Sequence, residues 1–94
     1  MPAWSRAAQR DLDAIHRHQA FYNDENRADK VVDALLDAAD RIIPRRYQEI
    51  VPGIRRVPFK GYVYLVTDSD DVEIVRVFAP GQNWLSWVKG NYPR

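Results

Sequence analysis

Cysteine is absent from this sequence of 94 residues. Its absence excludes disulfides, thiol catalysis and cysteine-ligated zinc sites. The four glycines are scattered, so the chain has no glycine-rich loop for a nucleotide phosphate. No apolar run approaches the ~18 residues that a membrane span needs, and the first residues lack the apolar stretch of a signal peptide. We therefore expect a cytoplasmic protein that contacts no membrane and carries out no thiol or nucleotide-dependent chemistry.

The remaining composition is that of one globular domain over residues 1–94, with 46% apolar and 12% aromatic residues. The net charge of +1 hides an asymmetry between the two parts of the chain. Residues 1–43 carry a balance of −2, and residues 44–94 carry a balance of +3. That positive balance is too small for a protein that binds duplex DNA sequence-specifically by itself. It suits an RNA segment or an acidic protein partner.

Two amphipathic helices with a very short joint are predicted for residues 5–43. Ser5 is a helix cap, and apolar residues then recur with a 3.6-residue period up to Tyr22. Asn23 and Asp24 break this helix and cap the next one, whose apolar stripe continues until Pro44. Helices joined so closely must lie antiparallel, so we expect an αα-hairpin.

Three short runs rich in β-branched and aromatic residues follow at Ile54–Phe59, Tyr62–Thr67 and Val72–Phe78. Their short connections predict antiparallel hairpins, and the segment from Pro44 to Pro52 before them is predicted to be a loop. Because proline cannot donate a ladder hydrogen bond, we expect the first of these strands to be an edge, to end or to bulge at Pro58.

A last helical turn is predicted at Trp84–Val88, capped by Asn83 and ended by Gly90. The resulting order is βααβββ with a short C-terminal helical turn. This order predicts an α+β fold, in which a helix hairpin packs on one face of a small, mainly antiparallel sheet.

Acidic and histidine side chains give little support for a catalytic or metal site. His16 and His18 lie about 200° apart around a helix and cannot share a metal ion. Four aspartates recur along the second helix opposite its apolar stripe, which is typical of a solvated face; they are Asp29, Asp33, Asp37 and Asp40. We therefore predict no metal site and no cofactor.

The basic residues of the sheet are the stronger candidates. Arg55 and Arg56 are adjacent in a strand, so their side chains should point to opposite faces. Arg76 lies inside an apolar run, where it is expected to share a face with Val72, Ile74 and Phe78. It must either form an ion pair with a helix carboxylate or border a surface that binds phosphodiesters or partner carboxylates.

Two tryptophans in the terminal turn, Trp84 and Trp87, exceed what a small core needs. We expect one to pack against the sheet and regard the other as a candidate for an interface, where aromatic residues are enriched.

Four segments in family order resemble the RelE/ParE toxin superfamily. The segment from Trp4 to Ile15 is similar to S-x-x-A-x-x-D-L-x-x-I, and Gly53-Ile54-Arg55-Arg56 to a G-[IL]-R motif at the start of the sheet. Tyr62-Val63-Tyr64-Leu65-Val66 follows, and then Val72-Glu73-Ile74-Val75-Arg76-Val77-Phe78, which is similar to V-E-I-x-R-[VI]. The resemblance implies a toxin of a type II toxin–antitoxin module, including plasmid-stabilisation modules, neutralised by an antitoxin whose flexible segment wraps it.

The superfamily has two activities, and the segment Phe78-Ala79-Pro80-Gly81-Gln82-Asn83-Trp84 helps to choose between them. It resembles the family's F-H-G-R-Q-D-W but has Ala79 at the histidine position and Gly81 at the arginine position. A general acid and a phosphate-binding cation are therefore missing together. This favours the ParE-like branch, which binds DNA gyrase and is not an enzyme. The predicted target-binding residues are Arg55, Arg56, Arg76, Trp84 and Trp87.

The alternative is a RelE-like, metal-independent endoribonuclease that cuts mRNA on the ribosome. Its partners would be the ribosome and mRNA, and its cations at the scissile phosphate would be Arg55, Lys60 and Arg76. A third interpretation is a protein that binds only its cognate antitoxin.

Overall fold

Two long helices, five strands and a short C-terminal helix follow one another along the chain. The computed structural model describes residues 2–92. The elements are β1 (Ala3–Trp4), α1 (Arg6–Tyr22), α2 (Glu25–Asp40), a 3₁₀ turn (Pro44–Arg46), β2 (Gln48–Val51), β3 (Ile54–Phe59), β4 (Tyr62–Thr67), β5 (Glu73–Phe78) and α3 (Trp84–Asn91). The fold is α+β, as the sequence predicts. No helix in this part of the chain has the length and apolarity of a membrane span.

The predicted helix hairpin is confirmed, and its caps explain its boundaries. The hydroxyl of Ser5 accepts a hydrogen bond from the N–H of Ala8 at 3.0 Å. The carboxylate of Asp24 accepts one from the N–H of Arg27 at 2.7 Å, so α2 begins directly after the break. The joint between the helices consists of Asn23 and Asp24, and the side chain of Asn23 donates a hydrogen bond of 2.9 Å to that of Gln19.

The five strands form one sheet in the order β1-β5-β4-β3-β2. β1 runs parallel to β5, and all other neighbours are antiparallel. The prediction of a loop from Pro44 to Pro52 is wrong in part, because Gln48–Val51 forms β2 and pairs with β3. A four-residue strand with an irregular register is too short to show the period-2 alternation that predicts a strand. β2 is extended because it pairs with β3, and its own sequence does not indicate this.

The environment of Pro58 agrees with its predicted effect. β4 accompanies β3 along its whole length, including a pairing of Pro58 with Val63. On the other side, β2 reaches only as far as Arg56, so β3 has an open edge at Pro58. A residue without an N–H group is tolerated at such a position.

A bulge in β5 overturns one prediction. Leu65 pairs with Arg76, but the next residue of β4, Val66, pairs with Ile74, so β5 carries one extra residue. An extra residue reverses the facing of the side chains beyond it. Ile74 therefore joins the core beneath the helices, whereas Arg76 lies with Phe78 on the other face. The expectation that Arg76 shares a face with Val72 and Ile74 is wrong.

Both faces of the sheet are covered. The helix hairpin covers one face over a core that consists of Ala8, Ile15, Leu35, Ala39, Val57, Tyr64, Val66, Ile74 and Val77. α3 covers the other face over a smaller cluster of Ile54, Leu65, Phe78 and Val88. The predicted cap of α3 is confirmed, because Asn83 accepts from the N–H of Ser86 at 2.9 Å. The helix runs past Gly90 to Asn91, one residue beyond the predicted stop.

Tyr64 ties the sheet to the helix hairpin. Its side chain is fully buried, and its hydroxyl donates a hydrogen bond of 2.6 Å to the carbonyl oxygen of Leu35 in α2. Burial raises the pKa of the Tyr64 phenol above its ordinary value of about 10, because the phenolate would be desolvated. The neutral phenol is therefore the form that the folded chain holds.

Tyr64→Phe should lower the free energy of unfolding by about 1–2 kcal/mol at neutral pH, through loss of this hydrogen bond. At alkaline pH the unfolded chain releases the Tyr64 proton before the folded chain does. The ionisation of Tyr64 in the unfolded chain therefore lowers the free energy of unfolding of the wild type by up to about 1.4 kcal/mol per pH unit above ~10. Tyr64→Phe should lack this contribution to the pH dependence. Urea unfolding at several pH values measures both effects, and Tyr22→Phe, at an exposed site, is the control. Identical alkaline slopes in the wild type and Tyr64→Phe would contradict the assignment.

Candidate functional site

Two arginines and two tryptophans meet on the sheet face that α3 covers. Arg56 in β3 and Arg76 in β5 both pair with Leu65 of the central strand β4, so they flank it on the same face. The guanidinium carbon of Arg56 lies 5.2 Å from the ring centroid of Trp84, and that of Arg76 lies 5.1 Å from the ring of Trp87. The i, i+3 spacing of the tryptophans on α3 places one ring against each arginine. We call these four residues the Arg–Trp face.

The second tryptophan is the centre of an aromatic cluster. Its ring centroid lies 6.0 Å from that of Phe78 and 5.9 Å from that of Tyr92. Arg76 also lies over the ring of Phe78, at 4.7 Å. Trp84 and Trp87 are both half-buried, and the expected packing of one tryptophan on the sheet is confirmed. The second tryptophan packs on the same face of the sheet.

Arg76 forms the ion pair with a helix carboxylate that was one of its two predicted roles. Its Nε and an Nη atom donate to the two carboxylate oxygens of Asp11 in α1, at 2.7 and 2.8 Å. One of those oxygens also accepts from the backbone N–H of Val77 at 2.8 Å. The two charged side chains are only 21% and 14% exposed. This ion pair, which we call the Asp11–Arg76 clasp, joins α1 to the edge of β5 beside α3.

The clasp also completes the cover of the β5 edge. β1 occupies the edge at Glu73 and Ile74, and the hydroxyl of Ser5 donates to the carbonyl oxygen of Val75 at 2.7 Å. Beyond these contacts along β5, the carboxylate of Asp11 accepts a hydrogen bond from the backbone N–H of Val77. These contacts therefore prevent a strand of another molecule from pairing with this edge of β5.

Arg55 and Lys60 lie apart from the Arg–Trp face. Arg55 points to the opposite side of the sheet from Arg56, as predicted, and donates to Asp68 at 2.8 and 3.2 Å and to the carbonyl oxygen of Tyr47 at 2.7 Å. Lys60 is exposed in the turn between β3 and β4, with its Nζ 5.5 Å from the ring of Phe59. The three cations of the endoribonuclease alternative, Arg55, Lys60 and Arg76, are therefore not assembled into one site.

The conformation of the loop from Ala79 to Gln82 favours glycine over an arginine at position 81. The N–H of Gln82 donates to the carbonyl oxygen of Ala79 at 3.1 Å, and the N–H of Ala79 donates to the side chain of Gln82 at 2.7 Å. Gly81 has φ +87°, a conformation that L side chains rarely adopt. With Pro80 before it, the glycine belongs to the tight turn itself. An arginine at this position would strain the loop.

The acidic stripe of α2 is exposed, as predicted. Asp29 nevertheless accepts a hydrogen bond of 2.8 Å from Nε2 of His16 on α1, which links the two helices. Neither this contact nor the role of Asp11 as the partner of Arg76 was predicted from the sequence. Within residues 2–92, no group of three or more histidine, aspartate or glutamate side chains is arranged to hold a metal ion.

Comparison with known proteins places this geometry in a family. No curated protein sequence matches the chain. Among solved structures, the fold is similar to that of a chain from the chromosomal ParDE toxin–antitoxin system of P. aeruginosa, with a TM-score of 0.72 and 21% identity over 85% of this chain and 97% of that one. The family model for the ParE toxin of the type II toxin–antitoxin system parDE matches residues 3–84. Because the match spans most of the sequence and every element up to the start of α3, the chain belongs to the ParE toxin family.

Proposed function

We propose that this protein is a toxin that binds DNA gyrase in the cytoplasm and that its cognate antitoxin neutralises it. The Arg–Trp face is the observation that carries the proposal. Arginine and tryptophan supply a large share of the binding energy in protein interfaces, and here two of each are fixed side by side on α3 and the sheet. Leu85, 45% exposed on α3 next to Trp84, adds an apolar side chain that the fold itself does not bury.

The residues that RNA cleavage would need support this choice over the RelE-like alternative. Metal-free cleavage needs a group that activates the 2′-hydroxyl, a proton donor for the leaving oxygen and cations for the charge between them. Ala79 and Gly81 offer neither a donor nor a cation. Arg55 and Arg76 are engaged with Asp68 and Asp11, and arginine is a poor general base near neutral pH. Binding to gyrase requires only a complementary surface.

Production of the chain without its antitoxin should therefore give gyrase-dependent DNA breaks and a DNA-damage response, while mRNA stays intact. Leu85→Glu should raise the toxin concentration needed for cleavage by purified gyrase at least tenfold, because it places a charge in the proposed contact. Leu36→Glu is the matched control, since Leu36 is 38% exposed on α2, away from α3. Thermal unfolding of both variants verifies that they are folded.

Two outcomes would overturn the proposal. Codon-positioned cuts in ribosome-bound mRNA with unbroken DNA would establish the endoribonuclease alternative. Equal gyrase inhibition by the wild type and Leu85→Glu would remove α3 from the target-binding surface.

A further inference from the structure

A cavity lies between α1, the start of β4, the end of β5 and the loop from Ala79 to Gln82, and we call it the α1–β5 cavity. Its volume is about 530 Å³. The buried side chains of Ile15 and Val77 form its apolar floor, with Ala14 beside them. Because sites for small organic ligands usually measure about 300–1,000 Å³, the cavity has the size of a small-molecule site.

Two glutamines give the wall of this cavity its hydrogen-bond donors. The side-chain carbonyl oxygen of Gln19 accepts a hydrogen bond from the side chain of Asn23 at 2.9 Å. That of Gln82 accepts one from the backbone N–H of Ala79 at 2.7 Å. Both glutamines line the cavity, and their carbonyl oxygens are already used within the chain. Their NH₂ groups therefore remain for a ligand, and these groups can only donate.

Tyr62 and His18 add two further donors and two flat rings to the wall. Tyr62 is half-buried at the start of β4. His18 is exposed, but its ring packs on that of Tyr22 with 4.6 Å between the ring centroids. Since aromatic rings attract one another through stacked and edge-to-face contacts, these rings favour a ligand with an aromatic body.

Asp11 also lines the cavity, but its negative charge is compensated. Its two oxygens accept hydrogen bonds from the guanidinium of Arg76, and one of them also accepts from the N–H of Val77. The carboxylate is therefore committed to the Asp11–Arg76 clasp. It leaves the donors of Gln19 and Gln82 free to select an acceptor group.

A second cavity provides the opposite environment. It lies between the end of α2, the start of the chain and the connection from β4 to β5, with a volume of about 560 Å³. Its lining carboxylates are Asp40, Asp70 and Asp71. An anionic ligand is repelled there, so the two cavities distinguish between an acid and an amine of the same shape.

We propose that the α1–β5 cavity binds a small aromatic carboxylate, with its ring over Ile15 and Val77 and its oxygens accepting hydrogen bonds from Gln19, Gln82 and Tyr62. A carboxylate has acceptors alone, which matches the donors of the wall. The inference goes beyond the action of the toxin on its target, because the chain binds such a ligand without gyrase or antitoxin.

An NMR titration of the full chain with 2-naphthoate tests the inference. A Kd of about 1 mM or below is expected for an aromatic acid of this size. The amide signals of Ile15, Val77 and Ala79 should shift and saturate. The matched probe is 2-naphthylmethylamine, which carries a donor-only cation on the same ring. It should bind at least tenfold more weakly at these signals.

Three variants identify the binding site. Ala14→Leu should weaken 2-naphthoate binding at least fivefold, because the larger side chain occupies part of the cavity. Ala7→Leu makes the same change at an exposed position of α1 outside the cavity, and its Kd should stay within twofold of the wild type. Tyr62→Phe keeps the ring and removes one donor, so it should weaken binding about two- to tenfold. The spectrum of each variant without ligand verifies its fold.

Three results would overturn the assignment. One is the absence of a saturable shift at Ile15, Val77 and Ala79 with 2-naphthoate at about ten times the expected Kd. Another is equal affinity for the acid and the amine at these signals, which would mean that the donors of the wall select nothing. The third is an unchanged Kd in Ala14→Leu, which would locate the bound probe outside the cavity. None of these results bears on gyrase or on the antitoxin, whose own tests stay separate.

Discussion

Asp11→Ala should lower the free energy of unfolding by about 2–4 kcal/mol, the largest expected effect of any single change to a charged residue described above. The substitution leaves the half-buried guanidinium of Arg76 without its carboxylate. It also leaves the N–H of Val77 without its acceptor. Both losses occur where α1 joins the edge of β5, so the effect should be seen as loss of global stability rather than as local fraying.

Urea unfolding of three variants tests this prediction of a structural role for the clasp. Asp11→Asn keeps an acceptor for Val77 but loses the charge, so its stability should lie between those of the wild type and Asp11→Ala. Asp13→Ala, at an exposed position of the same helix, should change stability by less than about 0.5 kcal/mol. A loss below about 1 kcal/mol for Asp11→Ala would mean that the clasp contributes little, as exposed ion pairs do.

Leu35→Ala should cost about 2–5 kcal/mol of folding free energy. The side chain of Leu35 is 1% exposed in the core between α2 and the sheet. Its backbone carbonyl oxygen also accepts the hydrogen bond from the hydroxyl of Tyr64. Removal of its side chain leaves a cavity that the surrounding helix and sheet fill only in part, because both are held by their own hydrogen bonds.

The neighbouring leucine is a matched control for this substitution. Leu36 is 38% exposed on the same helix, so Leu36→Ala removes the same atoms from a wet surface and should cost less than about 1 kcal/mol. Chemical denaturation of the two variants gives both values. Similar losses at the two positions would contradict the packing described for α2.

The helix hairpin was predictable because its signals are local. Ser5 and Asp24 mark the starts of α1 and α2 through side-chain caps, whatever the rest of the chain does. The predicted continuation of the second helix up to Pro44 is wrong, because α2 ends at Asp40 and Pro44 begins the 3₁₀ turn. β2 was not predictable, because Gln48–Val51 is a strand only through its pairing with β3. The bulge in β5 escaped prediction for a related reason, since nothing in the local sequence announces an extra residue at Val75.

The candidate site was predictable in its residue types rather than in its contacts. An ion pair for Arg76 follows from a charge amid apolar neighbours, and Asp11 had a readable signal, because it stands three residues after Ala8 and four before Ile15 in the buried stripe of α1. The stacking of Arg56 on Trp84 had no such signal. It depends on where the chain carries α3 after the loop, which is set by tertiary packing.

The position of β1 in the sheet has a consequence for synthesis of the protein on the ribosome. β1 and Ser5, made first, bind to β5, with the hydroxyl of Ser5 and the carbonyl of Val75 separated by 70 positions in the chain. At a translation rate of roughly 5–20 residues per second, the hairpin of α1 and α2 emerges seconds before its sheet edge exists. A copy released early, from a broken message or a stalled ribosome, lacks β5, the clasp and α3 together. Truncated products are therefore unable to form the Arg–Trp face, and only a chain translated through α3 can form it.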